Sequence, residues 1–223
     1  MGRKLNAILL LILSVLLSSG MGCADSGGLA ISGKAGTLGL GGELTTGITS
    51  NINTRVGINA LDLDFEAEPE DIEYDVGLDL YSFSALLDWH VFNDSFRVSG
   101  GILVNKNELD VYARPTTSQE IGGTSYTPAE IGSLSGGVDF KDIAPYVGIG
   151  WGNALDRSQR WGFTCDFGVA YTRSPHVSLS ANGLLASDPT FQADLARERD
   201  DIEDELKAFK FYPVISLGLF YRF

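Results

Sequence analysis

WGFTCDFGVAY, residues 161–171, alternates between two kinds of side chain. Its odd positions are Trp161, Phe163, Cys165, Phe167, Val169 and Tyr171. Its even positions are mostly small or polar: Gly162, Thr164, Asp166, Gly168 and Ala170. Because successive side chains of a β-strand point to opposite faces, this period of two predicts a strand with one apolar, aromatic face and one small, polar face.

The same alternation recurs along most of the chain. It predicts seven strands, at about 36–48, 52–66, 72–91, 95–112, 137–152, 160–173 and 209–223. Most reach the roughly ten residues that a tilted strand needs to cross the hydrocarbon layer of a membrane. A spanning sheet must close on itself, because lipid cannot satisfy the amides and carbonyls of an open edge. Since an even number of strands is usual, we expect an eighth, either at residues 29–35 or at residues 176–182.

Two of these segments exchange the parity of their apolar face. Apolar residues occupy even positions up to Ala60 and odd positions from Leu61 onward, and a similar exchange occurs near Leu80. A β-bulge near each of these residues would produce the exchange. Strands whose ends leave the apolar slab would produce it too. The sequence leaves both explanations open.

Alternation alone also fits a soluble β-sandwich, whose strands bury one face and wet the other. Two further features favour a membrane barrel. The faces opposite the apolar ones are rich in Gly, Ser and Thr, which suits a narrow polar lumen. Large aromatic residues stand at the segment ends, where interfacial girdles are found in such barrels: Trp89, Trp151, Trp161, Tyr221 and Phe223.

The first residues have the composition of a secretory signal peptide. Arg3 and Lys4 precede the apolar run 5–17, and small residues follow. We expect cleavage after Ala24, which leaves residues 25–223 as the mature barrel; the rival is lipidation of Cys23. Cleavage removes two bases and no acid, so the formal charge of −13 becomes −15. Such an acidic field repels phosphate and argues against nucleic acid as a partner.

One segment has helical rather than strand periodicity. Pro189 follows the capping candidates Ser187 and Asp188, and an apolar stripe recurs along the next turns: Phe191, Leu195, Ile202 and Leu206. This predicts an amphipathic helix at about 189–207, before the final strand at about 209–223. The predicted fold is therefore all-β: a closed antiparallel transmembrane β-barrel of eight strands, with one amphipathic helix before the last strand.

The lumen-facing positions include charged residues. On the predicted parity these are Glu43, Arg97, Asp166 and Arg222. An eight-stranded barrel is only wide enough inside for side chains, and isolated charges there would be costly to desolvate. We therefore predict a structural polar network in the lumen, which a narrow channel for small solutes would use as its lining.

Two weaker site hypotheses remain. His176 and Ser178 share one face of a strand. This His-x-Ser arrangement resembles that of the outer-membrane lipid A deacylases, and the resemblance implies a lipid-modifying activity in which His176 would be the base for Ser178. The acid-rich run 62–79 contains Asp62, Asp64, Glu66 and Glu68, whose oxygens suit Ca²⁺. Its spacing does not match an EF-hand, so we interpret it as a solvated acidic hairpin. We expect no cofactor.

APYVGIGWG (144–152), WGFTCDFGVAY (161–171) and LGLFYRF (217–223) resemble the small outer-membrane β-barrel families of Gram-negative bacteria, in particular the opacity-protein-like surface antigens. The resemblance implies insertion by the barrel assembly machinery, which reads a last strand ending in an aromatic residue such as Phe223. It also implies contact with outer-membrane lipid and lipopolysaccharide. We expect a monomeric, non-enzymatic barrel with a structural or surface-interaction role.

Overall fold

The computed structural model describes residues 28–67, 72–91, 95–173 and 175–223. The predicted signal peptide, Cys23 and Glu68 lie outside these residues. The strands are β1 Leu29–Gly36, β2 Gly39–Gly47, β3 Ile52–Ala67, β4 Ile72–Trp89, β5 Phe96–Pro115, β6 Gln119–Ile121, β7 Thr124–Tyr126, β8 Leu134–Trp151, β9 Trp161–Tyr171, β10 His176–Ala181 and β11 Phe211–Arg222. The helices are α1 Pro128–Ile131 and α2 Pro189–Glu205, and a 3-10 helix Leu206–Lys210 leads into β11.

Eight antiparallel strands close into a ring in the order β1, β2, β3, β4, β5, β8, β9, β11. The ring closes where β1 pairs with β11, from Ala30 opposite Arg222 to Gly36 opposite Ser216. The predicted eight-stranded barrel is thus confirmed, as is the helix before the last strand. Of the two candidates for the eighth strand, β1 belongs to the ring. Strand β10 pairs only with residues 134–139 of β8, beyond residues 146–151 that pair with β9.

The two ends of the barrel differ in their connections. At one end, here called the terminal end, β1 begins, β11 ends, and the connections β2–β3, β4–β5 and β8–β9 are short. The other end, here called the loop end, carries residues 116–133 and 172–210. Barrels of the outer membrane have short periplasmic turns and longer extracellular loops. By this rule we expect the loop end to face the cell exterior.

The outward face of the barrel is an apolar belt between two aromatic levels. All five predicted interfacial aromatics are exposed and lie at the terminal end: Trp89, Trp151, Trp161, Tyr221 and Phe223. A second level at the loop end contains Tyr171 and Phe211, whose ring centroids are 5.4 Å apart. Trp161 and Tyr171 are ten residues apart on β9, which is about 33 Å along a strand and about 25 Å along the membrane normal at a tilt of about 40°.

The parity exchange on β3 and β4 occurs without a bulge. The pairing of β3 with β4 keeps one register from Ile52 opposite Trp89 to Ala67 opposite Tyr74. The side chains therefore keep their faces, and only the surroundings change. Within the belt the outward face is apolar, and beyond it the outward face is acidic while the inward face is apolar. The pairing of β4 with β5 skips Leu80 and Tyr81, where the Tyr81 amide donates to Asn107 Oδ1, but it resumes in the same register. Of the two explanations that the sequence left open, strand ends that leave the lipid therefore account for the pattern.

Strands β3, β4, β5, β8 and β10 together continue beyond the belt as a sheet, here called the extension (residues 61–67, 72–80, 106–115, 134–140 and 176–181). A cap formed by residues 116–133 and 182–205 has a small core of its own: Ile121, Tyr126, Ile131, Phe191 and Leu195, against Leu134, Leu179, Ala181 and Leu185. Asp188 caps α2 by accepting hydrogen bonds from the amides of Thr190 and Phe191. The extension and cap thus form a folded layer above the barrel.

Pro213 lies within β11 without breaking it. Its pairing with Val169 belongs to an unbroken register from Phe211 to Tyr221. Its nitrogen faces the side of β1, and β1 has already ended at Gly36. There the Thr37 hydroxyl donates to the Pro213 carbonyl at 2.9 Å and accepts from the Ile215 amide at 3.1 Å. No ladder bond is lost, because the proline lies near the start of β11, where its nitrogen has no strand to pair with.

Candidate functional site

Six charged side chains meet inside the terminal half of the barrel, in what we call the ionic layer. Its members are Lys34, Glu43, Arg55, Asp88, Arg97 and Asp166. They come from six different strands, because each lies at a lumen-facing position of its strand and the register brings these positions to similar heights. Three bases face three acids, so the layer has no formal net charge.

Arg55 is the centre of the ionic layer. Its Nε lies 2.5 Å from Asp88 Oδ2, and its Nη1 lies 3.3 Å from Glu43 Oε1 and 3.2 Å from Asp166 Oδ2. Its Nη2 donates to Ser99 Oγ at 3.0 Å. The side chain is 4% exposed. Burial of this guanidinium is therefore offset by three carboxylates and a hydroxyl, as a buried charge requires.

Asp166 links the other two bases. Arg97 Nη2 lies 2.6 Å from Asp166 Oδ1, and Lys34 Nζ lies 2.9 Å from Asp166 Oδ2. Lys34 also pairs with Glu43 at 2.9 Å. Arg97 further donates to Thr164 Oγ1 at 2.7 Å and to the Gly152 carbonyl. The layer therefore ties β1, β2, β3, β4, β5 and β9 together across the lumen.

The structure brings together three of the four predicted lumen charges, namely Glu43, Arg97 and Asp166. Arg222 lies apart from them, at the terminal rim, where it donates to the carbonyls of Gln159 and Arg157. Its position as the last residue of β11 explains the difference.

The other half of the ionic layer, which the predicted lumen charges do not include, consists of Lys34, Arg55 and Asp88. In its strand each of these residues lies between two outward-facing residues, so the alternation places its side chain in the lumen. Asp88, for example, lies between the outward-facing Leu87 and Trp89, which are 53% and 52% exposed. The signal was therefore present in the alternation that predicted the strands.

An apolar layer fills the lumen next to the ionic layer, toward the loop end. It consists of Leu86, Leu103, Ala144, Tyr146, Ala170 and Val214. The Tyr146 ring occupies the space left by two glycines: a Cβ on Gly148 or Gly168 would come within 2.3 Å or 2.4 Å of its hydroxyl. These positions therefore need glycine to admit the ring.

A small cavity lies between the two layers. Its volume is about 30 Å³, enough for one or two water molecules. Lys34, Glu43 and Asp166 line one side of it, and Leu86 and Tyr146 line the other. At the terminal end the buried Phe220 ring lies against Gly162. Side chains thus fill the described lumen at three levels: the ionic layer, the apolar layer and Phe220.

His176 and Ser178 lie on the outward face of β10, in the extension. His176 Nδ1 is 3.2 Å from Glu203 Oε1 of α2, so the structure supplies an acid beside the imidazole that the sequence did not place. The Ser178 hydroxyl, however, donates to the Gly137 carbonyl at 3.4 Å. A nucleophile needs a hydrogen bond to its base, and the described contacts of Ser178 give it a carbonyl instead.

The acidic residues of the predicted hairpin lie on the outward face of the extension. Asp62, Asp64 and Glu66 alternate along the edge of β3, and Asp79 lies directly opposite Asp62. The negative charge of Asp62 raises the pKa of the Asp79 carboxyl above its ordinary value. Among the described residues no three His, Cys, Asp or Glu side chains converge as a metal site does. Within the same residues, no helix has the length and apolar character needed to cross a bilayer.

No protein-family model matches the sequence, and no curated protein matches it. Solved structures do share the fold. Acinetobacter baumannii CarO2 is 24% identical with a TM-score of 0.62, and CarO of the same organism is 20% identical with a TM-score of 0.62. In both cases the match covers 88% of this chain and 98% of the other.

A major outer membrane protein of Thermus thermophilus is 12% identical over 89% of this chain and 100% of its own, with a TM-score of 0.44. The CarO proteins are outer-membrane β-barrels. The similarity of this chain to the CarO proteins, the closed ring of strands and the apolar belt all indicate the same architecture. The chain has the fold of a small Gram-negative outer-membrane β-barrel protein.

Proposed function

We propose that this protein is a non-enzymatic outer-membrane barrel that holds its extension and cap at the cell surface for contact with a partner. The observation that carries the proposal is the filled lumen. An ionic layer and an apolar layer lie in series and leave a cavity of about 30 Å³. A solute would have to displace buried ion pairs and the Tyr146 ring together. The strands that continue past the belt, by contrast, build a folded surface outside.

The proposal includes the steps that bring the protein there. Residues 1–24 are removed as a signal peptide, the barrel assembly machinery inserts the chain, and the aromatic levels contact lipid and lipopolysaccharide. A monomer is sufficient, because the ring closes within one chain.

Planar bilayers test the filled lumen. The purified protein should show no discrete conductance steps, because the two layers leave no continuous path. Tyr146→Ala combined with Arg55→Ala removes the largest side chain of the apolar layer and the centre of the ionic layer, and it provides a control that shows whether the assay detects an opened lumen. Discrete steps from the unchanged protein would overturn the proposal and favour a narrow channel.

A lipid-modifying enzyme is the second candidate, and the contact between His176 and Glu203 is the observation that favours it. Lipid A mass spectra of cells with and without the gene decide between the two. We expect identical spectra. A mass change that disappears in both Ser178→Ala and His176→Ala would establish the enzyme instead.

A further inference from the structure

The sheet of the extension has two edges, β10 and β3, and they differ in whether another element covers them. The edge of β10 is covered by α2, whose Glu203 accepts a hydrogen bond from the Val177 amide at 3.0 Å. The edge of β3 is open: β2 pairs with β3 only as far as Leu40 opposite Ala60. Among the described residues no strand pairs with this side of residues 62–67. Unpaired amides and carbonyls along such an edge can accept a further strand.

The two faces beside the open edge have opposite chemistry. On the inward face, Leu63 and Phe65 are 45% and 52% exposed, although their β4 neighbours Leu78 and Val76 are apolar too. On the outward face stand Asp62, Asp64 and Glu66, and the described ion pairs include none of these three. An added strand would therefore meet apolar side chains on one face and uncompensated carboxylates on the other.

We propose that the open edge of β3, residues 62–67, binds an extended segment of another protein that alternates basic and apolar residues. The partner strand would pair with the β3 backbone, place its basic side chains beside Asp62, Asp64 and Glu66, and cover Leu63 and Phe65 with its apolar ones. This inference rests on the proposed surface role and names the partner's chemistry. The acids also discourage unspecific pairing, since an apolar strand would leave them unpaired and desolvated.

A second copy of the chain is unsuitable as the occupant. Copies in one membrane are related by an axis along the membrane normal, so their β3 strands run in parallel. A parallel pair joins opposite edges of its two strands, whereas a two-fold axis would bring the same edge of β3 to both sides. The facing carboxylates would also repel each other. The partner must therefore be a different chain that approaches from the loop end.

The test measures binding of labelled peptides to the full barrel in nanodiscs by fluorescence anisotropy. The probe is a ten-residue peptide of alternating lysine and valine. Matched controls are a peptide of the same composition with the lysines and valines in separate blocks, and an alternating peptide N-methylated at every second residue. We expect the alternating peptide to bind about tenfold or more tightly than either control, because backbone pairing and alternation both contribute. Equal binding of the three would overturn the proposal, since it would show only attraction to an acidic surface.

Variants locate the binding. Asp64→Lys with Glu66→Lys should weaken the alternating lysine peptide about tenfold or more, and should favour an alternating glutamate–valine peptide. The control pair, Glu108→Lys with Asp110→Lys, reverses two outward charges on β5, away from the edge. An equal effect of both pairs would overturn the edge assignment. None of these residues lies in the lumen, so the conductance test of the proposed function succeeds or fails independently.

Discussion

The ionic layer gives the sharpest prediction for the stability of the barrel. Arg55→Leu removes the guanidinium that contacts Asp88, Glu43 and Asp166. Glu43 and Asp166 keep Lys34, and Asp166 also keeps Arg97. Among the described residues, Asp88 keeps the Ser99 hydroxyl at 2.6 Å and Arg97 at 3.9 Å. Breaking a buried pair and leaving one charge behind costs about 3–5 kcal/mol, which is the loss of unfolding free energy we expect.

The double variant Arg55→Leu with Asp88→Leu tests the reason for that loss. It removes the cation together with the carboxylate that is left poorly paired. We therefore expect it to be more stable than Arg55→Leu alone, with a coupling energy of about 2–3 kcal/mol. Urea unfolding in lipid vesicles, followed by tryptophan fluorescence, gives the free energies.

The matched control is Arg199→Leu on α2. Its ion pair with Asp200 is exposed to solvent, so its loss should change stability by about 0.5 kcal/mol or less. Two results would refute the reasoning: a cost for Arg55→Leu as small as that of the control, or a double variant whose cost equals the sum of the two single variants.

Three further predictions follow from the lumen, the belt and the cap. Gly168→Ala should cost about 1–3 kcal/mol in the same unfolding assay, because its Cβ would overlap the tyrosine ring of the apolar layer; a neutral effect would show that the ring has room to move. Val147→Arg, outward within the belt, should cost about 2–4 kcal/mol, whereas Asp110→Arg, also outward but in the acidic extension, should cost nothing measurable; similar costs would contradict the change of surroundings. The hydrogen bond from Tyr126 holds the pKa of Asp194 below its ordinary value of 3.8, so its contribution is present above that value and is lost as pH falls through the lowered pKa. Protease cleavage in α2 should therefore increase as the pH falls further below 3.8, and it should increase less in Asp194→Asn, which lacks the titrating group; equal pH profiles would contradict this assignment.

The alternation of apolar side chains was enough to predict the barrel. In β9 and β11 it marks the two faces correctly along the whole strand, because both strands lie almost entirely inside the lipid belt. The same signal placed Glu43, Arg97 and Asp166 in the lumen. It could not show that Arg222 lies at the rim, because a residue's height depends on where its strand leaves the membrane and on how its neighbours are staggered.

The alternation of apolar side chains could not predict contacts between residues that are far apart in the sequence. Glu203 meets His176 and the Val177 amide across 27 and 26 residues of sequence, and these contacts exist because α2 packs against β10. Nothing in the local sequence of either element encodes that position. The alternation could not decide between β1 and β10 as the eighth strand either, since both segments have strand periodicity. They differ in that β1 pairs with β11 and closes the ring, whereas, within the described part of the chain, β10 pairs with β8 alone.

The parity exchange at Ala60 shows what a hydrophobic pattern reports. It records which face of a strand is the more apolar, and this depends on the surroundings as much as on the direction of the side chain. Inside the belt the outward neighbour is lipid and the lumen is polar. Beyond it the outward neighbour is water, and the inward face carries apolar side chains of neighbouring strands, such as Leu63 opposite Leu78. A continuous strand that crosses this boundary must exchange its pattern without changing its register. The exchange therefore marks the height at which β3 and β4 leave the membrane, and it separates the part of the chain that anchors the protein from the part that is available to a partner.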